Sequence, residues 1–204
     1  MEPLFWSNLA TTEYVAKVLQ EGKVVLAEGD TVLGLLADVS EQGRAQLDHI
    51  KSRSQKPYLI LIGSSQKAFD FIEIGADKIF QTEKLIKKCW PGPVTLIFKA
   101  KTDVPLYLKS AEGMVALRVP DHAGLLQLLS GFDGLFSTSA NNSGQPVPNA
   151  VDEVDQSILN SVACVVMNDA HKKTKSALPS TIIDCTGDTL VVVRQGAFDP
   201  SIHF

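Results

Sequence analysis

The chain has 204 residues, of which 45% are hydrophobic and 21% are charged, and its formal net charge is -4. These values are typical of one globular domain of moderate size, and they argue against a disordered chain or a protein that mainly coats nucleic acid. No apolar run approaches the roughly 20 residues of a membrane-spanning helix, and the N-terminus lacks the pattern of a signal peptide.

Amphipathic stretches alternate along the chain with short apolar runs. The first half predicts helices at 12–19, 42–50, 64–71 and 77–89, and strands at 24–27, 58–62 and 94–98. The second half predicts strands at 114–119, 135–138, 164–167, 181–185 and 189–193, and helices at 123–129 and 152–159. This interleaving predicts a single α/β domain over residues 1–204, with a twisted mixed β-sheet and helices packed around it.

The cysteines and histidines bear on compartment and metal binding. Cys89, Cys164 and Cys185 are widely spaced and form no Cys-x-x-Cys pair. They indicate buried thiols in a reducing environment, so we expect a cytoplasmic protein. No histidine stands at metal-ligand spacing, so the sequence predicts no protein-held metal.

Small polar residues follow the predicted strand that begins at Leu135. The segment from Ser137 to Gly144 is composed of hydroxyl and amide side chains, one alanine and a glycine. Small side chains let a phosphate approach the backbone, while hydroxyls and amides supply hydrogen bonds without bulk. Ser139 and Asn141 are therefore candidate ligand contacts, although a strand followed by a polar turn explains the same composition.

Three cations, Lys51, Arg53 and Lys56, stand within six residues at the end of a predicted helix. The helix dipole favours basic residues at a helix C-terminus, and this explains Lys51 by itself but does not explain all three cations. The proline and apolar strand that follow hold the segment near the sheet, where arginine and lysine together would suit a triphosphate.

Arg118 stands in an apolar strand, on the same face as Ala116 and opposite Leu117. An unpaired buried charge costs several kcal/mol, so this guanidinium requires a partner. The sequence leaves open whether that partner is an internal acidic residue or the carboxylate of a ligand.

Three further polar residues, Thr31, Ser180 and Arg194, stand in a turn or at strand ends. Each is a candidate ligand contact, and the alternative is that it belongs to an ordinary turn or a solvated strand end.

Six segments follow one another in order along the chain: Lys51-Ser52-Arg53, Trp90-Pro91-Gly92-Pro93-Val94-Thr95, the strand from Val115 to His122, Ser139-Ala140-Asn141-Asn142-Ser143-Gly144, the strand from Pro179 to Asp184, and Arg194-Gln195-Gly196. Together they resemble the YrdC-like threonylcarbamoyl-AMP synthase family, within the TsaC/YrdC/YciO superfamily, over about residues 12–196.

The resemblance implies a YrdC-like fold and an L-threonylcarbamoyladenylate synthase, a nucleotidyltransferase. Such an enzyme forms threonylcarbamoyl-AMP from L-threonine, bicarbonate or CO2, and ATP, releases pyrophosphate, and begins the threonylcarbamoyladenosine modification of tRNA. The implied ATP contacts are Lys51, Arg53, Ser139, Asn141 and Arg194, with Lys51 and Arg53 catalytic, and the implied threonine contacts are Thr31, Arg118 and Ser180. Mg2+ would accompany ATP, held mainly through phosphate.

The implied partners are the tRNA threonylcarbamoyltransferase complex and tRNA or double-stranded RNA. One segment departs from the family pattern of proline, threonine, an acidic residue and threonine: here it reads Glu28-Gly29-Asp30-Thr31. Gly29 in place of threonine predicts extra room in the pocket. This departure keeps open the alternative of a paralogue acting on a related carbamoyl-adenylate. A second alternative is a non-catalytic RNA-binding module of the same fold, for which Lys172-Lys173 and Lys175 would form a basic loop.

Overall fold

The computed structural model describes residues 2–52, 57–169 and 178–200. The strands are β1 (Leu4–Phe5), β2 (Val25–Ala27), β3 (Gly34–Asp38), β4 (Leu59–Leu61), β5 (Val94–Lys99), β6 (Met114–Arg118), β7 (Leu135–Ser139), β8 (Val165–Met167), β9 (Thr181–Asp184) and β10 (Val191–Arg194). They form one mixed sheet in the order β1-β8-β2-β3-β7-β4-β6-β5-β9-β10. The prediction of an α/β fold with a mixed sheet is confirmed.

The helices are α1 (Leu9–Gln20), α2 (Glu41–Ile50), α3 (Ala68–Phe71), α4 (Ile79–Cys89), α5 (Ala123–Leu129) and α6 (Gln156–Ser161), with 3-10 turns at Leu106–Leu108 and Val151–Glu153. Polar side chains cap several of their N-termini: Ser40, for example, accepts a hydrogen bond from Gly43 N at the start of α2. None of the described helices is long and apolar enough to cross a bilayer.

The sequence missed one central strand. The predicted strands include none between residues 27 and 58, but β3 (Gly34–Asp38) lies there and pairs with both β2 and β7. Two predicted helices were also too long. The helix expected from residue 64 is reduced to α3, and the one expected at 152–159 is divided, because Val154 has extended backbone angles and Asp155 caps a new helix, α6.

The core lies on both faces of the sheet, as the alternation along β3 shows. Leu35 packs in the same cluster as Leu47 of α2, whereas Leu36 packs in the cluster that holds Val15 of α1 and Leu125 of α5. The helices α1 and α5 also contact each other. They cover part of one face of the sheet, and the candidate site lies on that same face.

Candidate active site

A cavity of about 390 Å³ is built on the face of the sheet that carries α1 and α5. Its floor consists of alternate residues of neighbouring strands, which share one face because side chains alternate along a strand. Gly34 and Ser139, for example, are paired residues of adjacent antiparallel strands, and both line the cavity. Their small side chains leave the space into which larger residues would otherwise project.

Five of the predicted site residues meet in this cavity: Thr31, Arg118, Ser139, Ser180 and Arg194 all line it. They come from separate parts of the sequence, and the sheet brings them together. Asn141 and Lys51 lie beside Ser139 and are bonded to each other. Arg53, Lys56 and the basic loop at Lys172, Lys173 and Lys175 lie outside the described residues.

Arg118 has an internal acidic partner, the first of the two partners that its sequence left open, while contact with a ligand carboxylate stays a prediction. Only 3% of Arg118 is exposed, and its Nη1 donates to both carboxylate oxygens of Asp30, at 2.9 and 3.0 Å. Burial lowers the pKa of the Arg118 guanidinium, while the Asp30 carboxylate opposes that shift. Nε is buried without a hydrogen-bond partner in the described part of the chain. The hydrogen bonds to Asp30 use Nη1 alone, and Arg118 lines the cavity.

Ser180 and Arg194 both line the cavity and are bonded to each other. Arg194 donates from Nε and Nη2 to the carbonyl oxygen of Ser180, at 3.2 and 2.8 Å. The Ser180 hydroxyl is also 2.8 Å from that of Thr95, deep in the structure. The pairing of β10 with β9 shifts between Val192 and Arg194, and such an irregularity re-aims a side chain. Partial burial lowers the pKa of Arg194.

Lys51 occupies an unusual position for a lysine, because only 2% of it is exposed. Its Nζ donates to the carbonyl oxygen of Ser139 at 2.7 Å, to the carbonyl oxygen of Asn141, and to the Asn141 side chain at 3.1 Å. An ammonium donates three hydrogen bonds and accepts none, so it suits a ring of oxygens. In this structure Lys51 holds the loop that carries Ser139, and its contact with ATP stays a prediction.

The turn before Thr31 is held from several sides. Asp30 accepts a hydrogen bond from Asp121 N at 2.9 Å, besides those from Arg118. The carbonyl oxygen of Glu28 accepts from Trp6 Nε1 at 2.8 Å, and its carboxylate accepts from Asn168 N at the same distance. The segment that departs from the family pattern therefore has a defined shape.

The extra room predicted at Gly29 is not found. A Cβ atom at Gly29 would lie 2.9 Å from Cδ1 of Leu125, which also lines the cavity. The leucine side chain on α5 stands where a longer side chain at position 29 would be. The prediction failed because Leu125, nearly a hundred positions further along the chain, fills the space beside Gly29. A local sequence pattern does not indicate a contact between residues so far apart in sequence.

Sequence reasoning also missed several site residues. Thr95 falls inside a segment that carries the resemblance, and Asp30 keeps the acidic position of the segment that departs from the family pattern, so both positions were an available signal. Trp6 and Leu125 gave none, because an aromatic residue near a terminus and a leucine in a helix are ordinary core residues.

The described residues include no group of three histidine, cysteine, aspartate or glutamate side chains that could hold a metal ion. Two of the cysteines, Cys89 and Cys164, are buried, as expected, and Cys185 is half-buried. Burial raises the pKa of the Cys89 and Cys185 thiols to about 12 and that of Cys164 to about 11. These thiols are therefore neutral near pH 7 and poor nucleophiles.

Known proteins resemble this chain over most of its length. A protein named threonylcarbamoyl-AMP synthase from Pyrococcus abyssi is 31% identical over 185 residues, which cover 89% of this chain and 52% of the relative. One of the same name from Vibrio campbellii is 29% identical over 187 residues, 90% of this chain and 98% of the relative. The chain thus spans about half of the archaeal protein and nearly all of the bacterial one.

A solved structure extends the comparison to the fold. The crystal structure of Pyrococcus abyssi Sua5 complexed with L-threonine matches with a TM-score of 0.80 and 29% identity, over 92% of this chain and 54% of that one. The family model for Sua5, YciO and YrdC, described as telomere recombination, matches residues 17–196. This chain therefore belongs to the Sua5/YciO/YrdC family.

Proposed function

We propose that this protein is an L-threonylcarbamoyladenylate synthase. The observation that carries the proposal is the convergence of Thr31, Arg118, Ser139, Ser180 and Arg194 on one cavity. Relatives of similar length bear the name of this enzyme, and one family member binds L-threonine in its crystal structure. Arg118 and Arg194 both line the cavity and offer donors for anionic substrates.

The reaction joins three substrates. The threonine amine takes up CO2 and releases a proton to solvent as it forms a carbamate, and a carbamate oxygen then attacks the α-phosphorus of ATP. The new oxygen–phosphorus bond forms as the bond from the α-phosphorus to the bridging oxygen breaks, and pyrophosphate leaves. The threonine carboxylate, the carbamate and the ATP phosphates are all negatively charged, so the protein has to hold mutually repelling anions close together and aligned.

In this proposal Arg118 and Thr31 hold threonine. The Arg118 guanidinium is kept in place by Asp30, so its remaining donors face a ligand carboxylate in a fixed direction. The Thr31 hydroxyl makes no hydrogen bond to a described residue, although Thr31 is only 9% exposed and lines the cavity. Ser180, which binds Thr95 and Arg194 and also lines the cavity, is the third proposed threonine contact.

The nucleotide is assigned to Ser139 of β7 and Arg194 of β10, which both line the cavity. Lys51 supports the loop that carries Ser139 by fixing the Ser139 and Asn141 carbonyls. Arg53 lies outside the described residues, and its assignment to phosphate rests on the resemblance. Magnesium would be held by phosphate oxygens and water. Both carboxylate oxygens of Asp30 already accept hydrogen bonds from Arg118, and one also accepts from Asp121 N, so we do not assign Asp30 as a magnesium ligand.

The test is pyrophosphate release from ATP, with threonine and bicarbonate supplied together, singly or not at all. We expect release only with both, and a product with the mass of threonylcarbamoyl-AMP. A different adenylate product would favour the paralogue. RNA binding without any amino-acid-dependent release would favour the non-catalytic module.

A further inference from the structure

Gly29 and Leu125 meet at the wall of the cavity. Both line it, and the position of a Cβ on Gly29 lies 2.9 Å from Cδ1 of Leu125, closer than two carbon atoms can pack. With any other residue at position 29, the leucine side chain would have to move. The glycine is therefore what permits the leucine to stand where it does.

Leu125 is held firmly in this position. It lies in the first turn of α5, where its backbone N donates to Nδ1 of the capping residue His122 at 3.1 Å. Only 3% of it is exposed, and it packs in the same cluster as Leu36 and Leu61, which also line the cavity. A confined leucine among other leucines forms a rigid apolar wall.

This wall stands at the end of the cavity that holds Thr31 and Arg118. Gly29 precedes Thr31 by two residues, and Asp30 between them bonds to both Arg118 and Asp121 N. The latter bond ties the turn to the segment that leads into α5. A molecule held by Arg118 and Thr31 therefore has Leu125 beside it.

We propose that Leu125 determines amino-acid specificity: its side chain limits the size of the substrate side chain, and Gly29 makes room for it. This inference rests on the proposed function and deepens it. An apolar wall contacts the threonine methyl group and offers no hydrogen bond. It excludes larger aliphatic side chains by overlap, and it favours threonine over serine, which lacks the methyl group.

The experiment compares wild type, Leu125→Ala and Leu128→Ala, each with threonine, serine, valine and isoleucine in the pyrophosphate assay. Leu128 is a matched control, because it is a buried leucine of the same helix and cluster but does not line the cavity. We expect Leu125→Ala to raise the kcat/KM ratio of isoleucine to threonine by about tenfold or more. Leu128→Ala should leave that ratio unchanged.

A second pair of variants tests the same contact from the other side, in case Leu125→Ala does not fold. Gly29→Ala should lower threonine use, because the new methyl group pushes Leu125 into the cavity, and Leu125→Val in the same chain should restore it. Ratios that stay unchanged in Leu125→Ala, or that change equally in Leu128→Ala, would overturn the inference.

Calorimetry measures the dissociation constants of the same amino acids, and the ratio of the isoleucine constant to the threonine constant is compared between wild type and Leu125→Ala. An enzyme that releases no pyrophosphate with any amino acid refutes the proposed function, yet a changed binding ratio in Leu125→Ala would still support the role of Leu125. An unchanged binding ratio would refute that role independently.

Discussion

Arg118 donates to both oxygens of Asp30 across a sequence separation of 88 residues. The side chains are only 4% and 8% exposed, so water screens this ion pair weakly. The pair connects the end of β6 with the turn that carries Thr31. The same contact therefore supports the fold and aims the guanidinium into the site.

The first prediction separates these two roles. Asp30→Asn removes the charge that compensates Arg118, and we expect it to lower the free energy of unfolding by about 3–5 kcal/mol. Arg118→Lys keeps a positive charge near Asp30, so it should cost less stability, but it loses the planar fork and should raise the threonine KM about tenfold or more. Urea unfolding and substrate kinetics measure the two effects. An Arg118→Lys enzyme with unchanged threonine dependence and reduced stability would make Arg118 a purely structural residue.

A second prediction distinguishes Lys51 from Arg53. Lys51→Met should lower stability, by about 1–3 kcal/mol for each oxygen left without a donor, and weaken ATP and threonine binding together because the loop at Ser139 loosens. Arg53→Ala should leave stability unchanged and weaken ATP alone by about one to two decades, as expected for one lost charge-assisted contact. Calorimetry at fixed salt measures both affinities. Unchanged ATP affinity in Arg53→Ala would mean that Arg53 is only a solvated helix end.

These results show how far the sequence could predict the site. Alternation along β6 placed Arg118 on the same face as Ala116, and both line the cavity. The partner of Arg118 and the oxygens around Lys51 could not be predicted, because they come from segments 88 to 90 residues away. Local patterns set which face a side chain occupies, whereas sheet order determines what it meets there.

The missed strand β3 has a related cause. Gly34 has low strand propensity and follows a turn, so its surroundings favoured a loop. Its place in the sheet is settled by pairing with Ala27 on one side and Ser139 on the other. A glycine is also suited to this position, because a Cβ there would approach Thr138 O to 3.2 Å.

A third prediction concerns Gly196, which lies two residues after Arg194 at the end of β10. A Cβ at this position would lie 2.1 Å from Pro179 O, so the backbone near Ser180 would have to move. Gly196→Ala should therefore cost about 1–3 kcal/mol, as overpacking does, and weaken ATP binding because Arg194 loses its contact with Ser180. Gly187→Ala is the control, since its nearest atom would be at 3.8 Å, and it should change stability by less than about 0.5 kcal/mol. Equal behaviour of both variants would contradict the close-approach argument.

A fourth prediction follows from the buried thiols. The pKa of Cys89 is raised from 9.0 to about 12, so above pH 9 the unfolded chain releases a proton that the folded protein retains. Fewer protons bound in the unfolded state mean that stability falls as pH rises from 9 toward the folded pKa. We expect Cys89→Ala to flatten this decline. Urea unfolding at several pH values between about pH 8 and about pH 10 measures the slope. Parallel slopes for wild type and variant would contradict the prediction, because all other titrating groups are shared.

The last prediction concerns Thr31, whose hydroxyl has no hydrogen-bond partner among the described residues although the residue is 9% exposed. Thr31→Val preserves the shape and deletes only the hydroxyl. Since no internal hydrogen bond is lost, we expect stability to change by less than about 0.5 kcal/mol. Threonine-dependent pyrophosphate release should nevertheless fall about tenfold, the usual effect of losing one buried hydrogen bond to a ligand.

The control for this prediction is Thr95→Val. Thr95 also lines the cavity, but its hydroxyl bonds to Ser180 at 2.8 Å, so this variant should lose stability as well as activity. Unfolding curves and kinetics on both variants separate the two cases. If Thr31→Val retains full activity with threonine, its hydroxyl does not contact the substrate, and the assignment of this end of the cavity to the amino acid fails. If it loses stability as Thr95→Val does, the hydroxyl serves the fold instead.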